Sequence, residues 1–154
     1  MKAFYRLLVT SLAISGFTTA SHAATLDVSD NHGGSVRDYD AKWRALGQEG
    51  THVPIVGPCQ SACTVLLAHI PRENICVTPN ASLGFHLAKL QWATDTLWSA
   101  YPSDIQGWIT VRGGLQKDFI WLKSPELYKF LAKCLRCALS SRTARQAIRW
   151  PVSK

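Results

Sequence analysis

Apolar side chains recur at Val36, Tyr39, Trp43 and Leu46, the spacing of one helical face, and Gly47 and Gly50 close that pattern. Before it, Thr25 to Val28 reads as a short strand leading into Gly33-Gly34. After it, Val53 to Val56 reads as a strand and Ala62 to Ile70 as a buried helix. Ile75 to Thr78 and Leu83 to His86 read as strand pieces on either side of Pro79-Asn80. Strand, helix, strand, helix, strand predicts an α/β domain, a mainly parallel sheet layer covered by helices. Beyond His86 the spacing of Leu97, Trp98, Tyr101, Ile105, Trp108 and Ile109 is helical, and Pro102 divides it into two helices. Leu115, Phe119 and Leu122 extend that spacing, and Glu126 to Ala132 reads as a last turn or two. No repeat, low-complexity stretch or flexible linker divides the chain.

The first residues belong to a different regime. Lys2 and Arg6 precede an apolar stretch from Leu7 to Phe17, and Ser21-His22-Ala23 puts small residues at the two positions a signal peptidase reads. The apolar run is shorter than the ~20 residues a membrane span requires. Residues 1–23 therefore read as a secretory signal, with a mature chain starting near Ala24 in the periplasm or outside the cell. The remaining roughly 130 residues suffice for one compact domain, here 24–134, with a single core.

Charge is unevenly divided. The formal net charge is +7, a value that invites a nucleic-acid reading. Between Ala24 and Cys134, however, ten Lys/Arg face ten Asp/Glu. Once Lys2 and Arg6 leave with the signal, the surplus sits in a basic extension over residues 135–154. There Arg136, Arg142, Arg145, Arg149 and Lys154 occur without an acid, interleaved with Leu135, Leu139, Ile148 and Trp150. Nucleic acid is not the expected partner. Such a segment lies on an anionic membrane surface, docks on an acidic partner, or stays a solvated appendage.

Five cysteines, Cys59, Cys63, Cys76, Cys134 and Cys137, in a short exported chain read as disulfides with one thiol left over. The favoured pairing joins Cys76 to Cys134 and leaves Cys59 and Cys63 to pair locally, one of three connectivities open to those four. A metal site is the lesser reading, since no histidine stands at zinc-finger spacing from either close pair.

The candidate chemistry centres on Ser61. It follows the strand Val53 to Val56 within Gly57-Pro58-Cys59-Gln60-Ser61-Ala62-Cys63-Thr64 and precedes a buried helix, a position that aims a side chain out of the core. His86 and the pair Gly33-Gly34 supply the other parts an acyl-transfer site needs, a base and backbone N–H donors for an oxyanion. A lone serine at a helix start or a lone histidine at a strand end is ordinarily structural, and it is the combination that carries the signal. His32 adjoins the glycine pair, within reach of a substrate, but a histidine in a turn is ordinarily solvated; His52 and His69 have no catalytic spacing, and none of the three is assigned a role. Trp43, Trp92, Trp98, Trp108 and Trp121 fall mostly on helical faces beside other apolar residues, which favours packing over ligand stacking. Asn80-Ala81-Ser82 is a glycosylation triplet in form only.

Gly-Gly-Ser-Val at Gly33, Ser-Ala-Cys-Thr at Ser61, Cys-Val-Thr-Pro at Cys76 and Gly-Phe-His at Gly84 together resemble the proteolytic subunit of the Clp protease and its crotonase-fold relatives. The likeness is closest to the small secreted Clp-like proteins of bacteria and runs from Gly33 to about Cys134, including Tyr101-Pro102 and Gly113-Gly114-Leu115. It implies a ClpP/crotonase-like fold, Ser61 as nucleophile, His86 as general base, and the amides of Gly34 and Ala62 as oxyanion hole. The chain departs from the pattern at one place. The aspartate that orients the imidazole in the Clp subunit falls near Trp121 here, and the nearest acid is Asp118, one helical turn earlier and on the same face of the helix expected there.

The resemblance thus implies a serine hydrolase acting on peptides or small esters. It has no nucleotide motif, and therefore no ATP-driven unfoldase within the chain, and it implies no cofactor. The competing function is a non-catalytic Clp-like binding or assembly module. Clp-like folds associate through the region after the histidine, here Leu90 to Trp121, so a homo-oligomer is among the implied partners.

Overall fold

The computed structural model describes residues 23–135. All but the last residue of the signal read over 1–23, the extension carrying Arg136, Arg142, Arg145 and Arg149, and the fifth cysteine, Cys137, lie outside the described residues.

Helix α1 (Val36–Gln48) opens on Ser35, whose Oγ accepts a hydrogen bond from the Asp38 amide at 3.4 Å, with Asp38 itself in the first turn where a negative charge suits the helix dipole. Its inward face buries Val36 and Trp43. Gly47 lets α1 approach its neighbour closely, because a Cβ there would meet the His69 carbonyl oxygen at 2.1 Å. That neighbour is a 3-10 turn, Ser61–Val65, running into the short helix α2 (Leu66–His69). His69 Nε2 and Asp40 Oδ1, 2.7 Å apart, tie α2 to α1.

Among the described residues six short strands form two three-stranded sheets. In the first, β1 (Val53–Ile55) and β6 (Ala132–Lys133) both run parallel to β3 (Ile75–Val77). In the second, β2 (Pro58–Gln60) runs parallel to β4 (Ser82–Phe85), and β5 (Ile120–Lys123) runs antiparallel to β4 on its other side. All three residues of β1 and all four of β4 are buried, the continuous pattern of strands covered on both faces. The N-terminal stretch stitches the sheets together, bridging His52 from Thr25, Ile55 from Val28 and Cys59 from Asn31. Gly57 makes that path possible: a Cβ there would lie 1.8 Å from the Ser29 carbonyl oxygen.

Helices α3 (Gln91–Ala100) and α4 (Ser103–Thr110) are separated at Tyr101-Pro102, where the proline restricts the preceding residue to extended backbone (Tyr101 ψ 130°). Leu97, Ile105 and Ile109 are wholly buried in one continuous core that includes Trp43, Leu66, Leu83 and Phe85. Trp43 and Trp108 are core residues and Trp98 packs against the core, whereas Trp92 is exposed. No helix of the described residues is long and apolar enough to cross a membrane.

The domain is therefore α/β and partly parallel, and it departs from the periodicity in several places: Thr25 to Val28, expected as a strand, makes only isolated bridges, and Ala62 to Ile70, expected as a helix, is a 3-10 turn followed by four helical residues. The parallel layer is two small sheets, and one of its pairings is antiparallel. Residues 115–122, expected as helix, are a loop followed by β5. Gly113 and Gly114, at φ +92° and +77°, turn the chain out of α4, and from Ile120 the period is two, with Leu122 wholly buried and its neighbour Lys123 exposed. Glu126–Lys129 is a single 3-10 turn, and Ala132, expected at its end, is already in β6.

Two disulfides close the described chain, Cys59–Cys63 and Cys76–Cys134, in the favoured pairing. The second ties β3 to the residue after β6, 58 positions later. A loop of that length removes considerable chain entropy from the unfolded state, roughly 4 kcal/mol in the chain-entropy picture. Both bonds fit an exported protein.

Candidate active site

Ser61 occupies the junction between β2 and the 3-10 turn with φ +56°, and among the described residues no other non-glycine has positive φ. The left-handed region costs an L-residue about 1–2 kcal/mol, so the surroundings must hold it. Three devices do so. The Cys59–Cys63 bond spans the turn with a Cα–Cα distance of 5.4 Å and buries both of its cysteines. Thr64 Oγ1 donates to the Ser61 carbonyl oxygen at 2.6 Å. Because that hydroxyl proton is committed, Thr64 Oγ1 accepts from the Tyr101 hydroxyl at 2.9 Å. Burial raises the Tyr101 pKa well above the ordinary phenol value, so this donor keeps its proton at any physiological pH.

The third device is Gly33, at φ +77°. A Cβ there would stand 2.6 Å from the Gln60 carbonyl oxygen, 2.9 Å from Ser61 Cβ and 3.0 Å from the Ala62 nitrogen, so the glycine backbone lies directly on the serine turn. Buried Asn31 fixes it by accepting the Gly33 amide at 3.0 Å and the Tyr39 hydroxyl at 2.6 Å on the same Oδ1. The Gly33-Gly34 segment and the Ser61-Ala62 turn are therefore adjacent. The amides of Gly34 and Ala62 donate to no loop carbonyl or side chain among the described residues.

His86 follows the last residue of β4. Its ring is carried there by Phe85, which is wholly buried and packs edge-on against Tyr101 at 4.9 Å; burial of such a side chain is worth about 1.5–3 kcal/mol. His86 Nε2 lies 2.7 Å from Ser61 Oγ. The ring is half-buried, and desolvation lowers its pKa below 6.5, which favours the neutral imidazole that can accept the hydroxyl proton. The Phe119 ring covers it with centroids 4.3 Å apart and planes inclined by 37°.

Asp118 stands apart from this pair. It is exposed, in the loop before β5, and makes no hydrogen bond to His86 among the described residues. The helical face that would have aligned it with the imidazole does not exist, because the chain forms a bend there before entering β5. Trp121 lies opposite Gly84 in the β4–β5 register, with its ring within 3.0 Å of where a Gly84 Cβ would be.

Sequence reasoning missed several residues that shape the site, buried Asn31 among them. Thr64 could have been found from its place three residues after Ser61, the spacing at which a threonine bonds back to the chain. Tyr101 and Phe119 reach the site only through tertiary packing, so no local pattern marks them. Gln60 joins His32, given no role from sequence, through Nε2 and Nδ1, and His32 Nε2 lies 3.2 Å from Asp30 Oδ1. Two surface depressions, of about 500 Å³ beside Trp121 and Lys129 and about 350 Å³ between Leu87 and Trp98, do not include Ser61. Among the described residues no cluster of side chains is suited to hold a metal ion. No family model matches the chain, and no curated protein is significantly similar to it.

Proposed function

We propose that this chain is an exported, Clp-like serine hydrolase of the ClpP/crotonase type, an ATP-independent peptidase or esterase acting on short peptides or small esters in the periplasm or outside the cell. The observation that carries the reading is the 2.7 Å contact between His86 Nε2 and Ser61 Oγ, with Ser61 held in left-handed backbone at a strand-to-helix turn. Ser61 Oγ attacks the carbonyl carbon as its proton passes to His86 Nε2. The amides of Gly34 and Ala62 are offered to the oxyanion, a donor pair whose members are each worth about 2.7–4 kcal/mol where such holes have been dissected. Collapse of the intermediate breaks the bond to the leaving group, which takes the proton from the imidazolium. Water then repeats the sequence on the acyl-serine, with His86 again as base.

Reaction with a fluorophosphonate tests this, because the reagent requires an activated serine. The folded wild-type chain should be labelled and Ser61→Ala should not. Equal labelling of both would remove Ser61 as nucleophile. No labelling of the folded wild type would favour the second reading, an inactive Clp-like binding or assembly module, for which the absence of a carboxylate bonded to His86 among the described residues is the supporting observation.

The Cys59–Cys63 bond gives a further expected result. In Cys59→Ala/Cys63→Ala the second disulfide and the core remain, but nothing covalent holds the turn against its backbone cost. Relaxation worth about 1–2 kcal/mol should slow labelling roughly tenfold while the far-UV circular dichroism spectrum is kept. Labelling at the wild-type rate would show that Thr64 and Gly33 suffice.

A further inference from the structure

The imidazole of a serine hydrolase must be held in one plane, and among the described residues no carboxylate is bonded to His86. What does touch its ring is aromatic. The β4–β5 register pairs Phe85 with Ile120 and Gly84 with Trp121, and continuing it by one pair sets His86 opposite Phe119. Alternation along both strands then puts Gly84 and His86 on the same face as Trp121 and Phe119. The rings follow that geometry: His86 and Phe119 centroids are 4.3 Å apart, and Phe119 and Trp121 centroids 5.4 Å apart with planes inclined by 33°. Gly84 makes the stack possible, since a Cβ there would lie 2.9 Å from the Trp121 ring and 3.0 Å from Gln60 Cβ. The loop entering β5 is pinned by the Leu87 amide, which donates to the Gln116 carbonyl at 2.7 Å.

We propose that Phe119, backed by Trp121, is the positioning residue for His86, replacing the orienting carboxylate of a triad by ring stacking. This rests on the hydrolase reading for its catalytic meaning but not for its geometry. Stacking restricts rotation of the imidazole about its Cβ–Cγ bond and keeps Nε2 on Ser61 Oγ. When the proton arrives, the positive imidazolium faces the electron-rich surface of Phe119 within cation–π distance, so the stack also favours the charged form that acylation creates. An orienting aspartate does both things by charge and hydrogen bonding. Here the same two tasks fall to a ring that has no acidity of its own.

The test compares Phe119→Leu, which fills similar volume without a ring, with Phe119→Tyr, which keeps one. Two readouts are needed in the full mature chain. The first is the rate of fluorophosphonate labelling, in which Ser61 Oγ bonds to phosphorus, fluoride leaves and the proton goes to His86. Phe119→Leu should slow it about tenfold or more, and Phe119→Tyr should stay within about threefold of wild type. The second is the proton NMR resonances of the His86 ring, which the Phe119 ring current displaces; the displacement should vanish in Phe119→Leu and persist in Phe119→Tyr. Wild-type labelling together with unmoved His86 resonances in Phe119→Leu would overturn the proposal. Equal slowing in both variants would also overturn it, since loss of packing and not loss of the ring would then be the cause. A wild type that takes no label would sink the hydrolase reading, and the His86 resonances alone would then decide whether Phe119 fixes the ring.

Discussion

His86→Ala should slow acylation of Ser61 by about 10²–10⁴-fold, the range over which a positioned general base acts. The residual reaction belongs to the oxyanion donors and to the serine turn, neither of which the substitution touches. Above the pKa of His86 the imidazole is neutral and accepts the hydroxyl proton; below it the ring is protonated and cannot. Burial lowers that pKa from 6.5. The wild-type labelling rate should therefore rise with pH and level off with a midpoint below 6.5, and His86→Ala should lose this inflection. Labelling kinetics across pH check both points. A His86→Ala protein that reacts at the wild-type rate would leave Ser61 without its base and the 2.7 Å contact without a catalytic meaning.

Gly33→Ala should damage stability and site together. Two costs arise at one atom. Positive φ penalises any Cβ by about 1–2 kcal/mol, and the atoms in its way are the Gln60 carbonyl oxygen at 2.6 Å and Ser61 Cβ at 2.9 Å, not the far end of a flexible side chain. Relief requires the Asn31–Ser35 segment to move off the serine turn, breaking the Gly33 amide bond to Asn31. A loss of at least about 2 kcal/mol corresponds to a fall in melting temperature of roughly 8–15 °C for a domain of this size. Labelling should fall further than stability explains, because Gly34 moves with its neighbour. Thermal melting and labelling of the still-folded fraction separate the two effects. Gly50→Ala is the control: its φ is +69°, but a Cβ there meets nothing within 4 Å, so only the backbone cost applies.

Elements with an unambiguous period were legible from the sequence. The face Val36, Tyr39, Trp43 and Leu46 became α1, and the Pro102 break divided α3 from α4. The strands β1, β3 and β4 lay where short apolar runs ended at turn residues. β5 was not legible, because Phe119-Ile120-Trp121-Leu122 is apolar throughout and a run of that length has no period of its own; read as a continuation of α4, it gave a helix. The division into two sheets was equally hidden, since strands of three or four residues do not state their partners. At the site, Ser61 and His86 could be paired by resemblance, and the structure brings them into contact. The neighbours that hold them, Tyr101 and Phe119, are forty and fifty-eight positions from Ser61, and only the packed core defines their proximity.

The Cys59–Cys63 bond ties the shape of the Ser61 turn to the redox state of its surroundings. In a reducing compartment both cysteines are thiols. In that state the turn carrying Ser61 lacks its covalent brace. In an oxidising one the bond closes a ring of five residues with Ser61 at its centre. On the proposed hydrolase reading, the reactivity of Ser61 then depends on where the chain resides, rising roughly tenfold on oxidation.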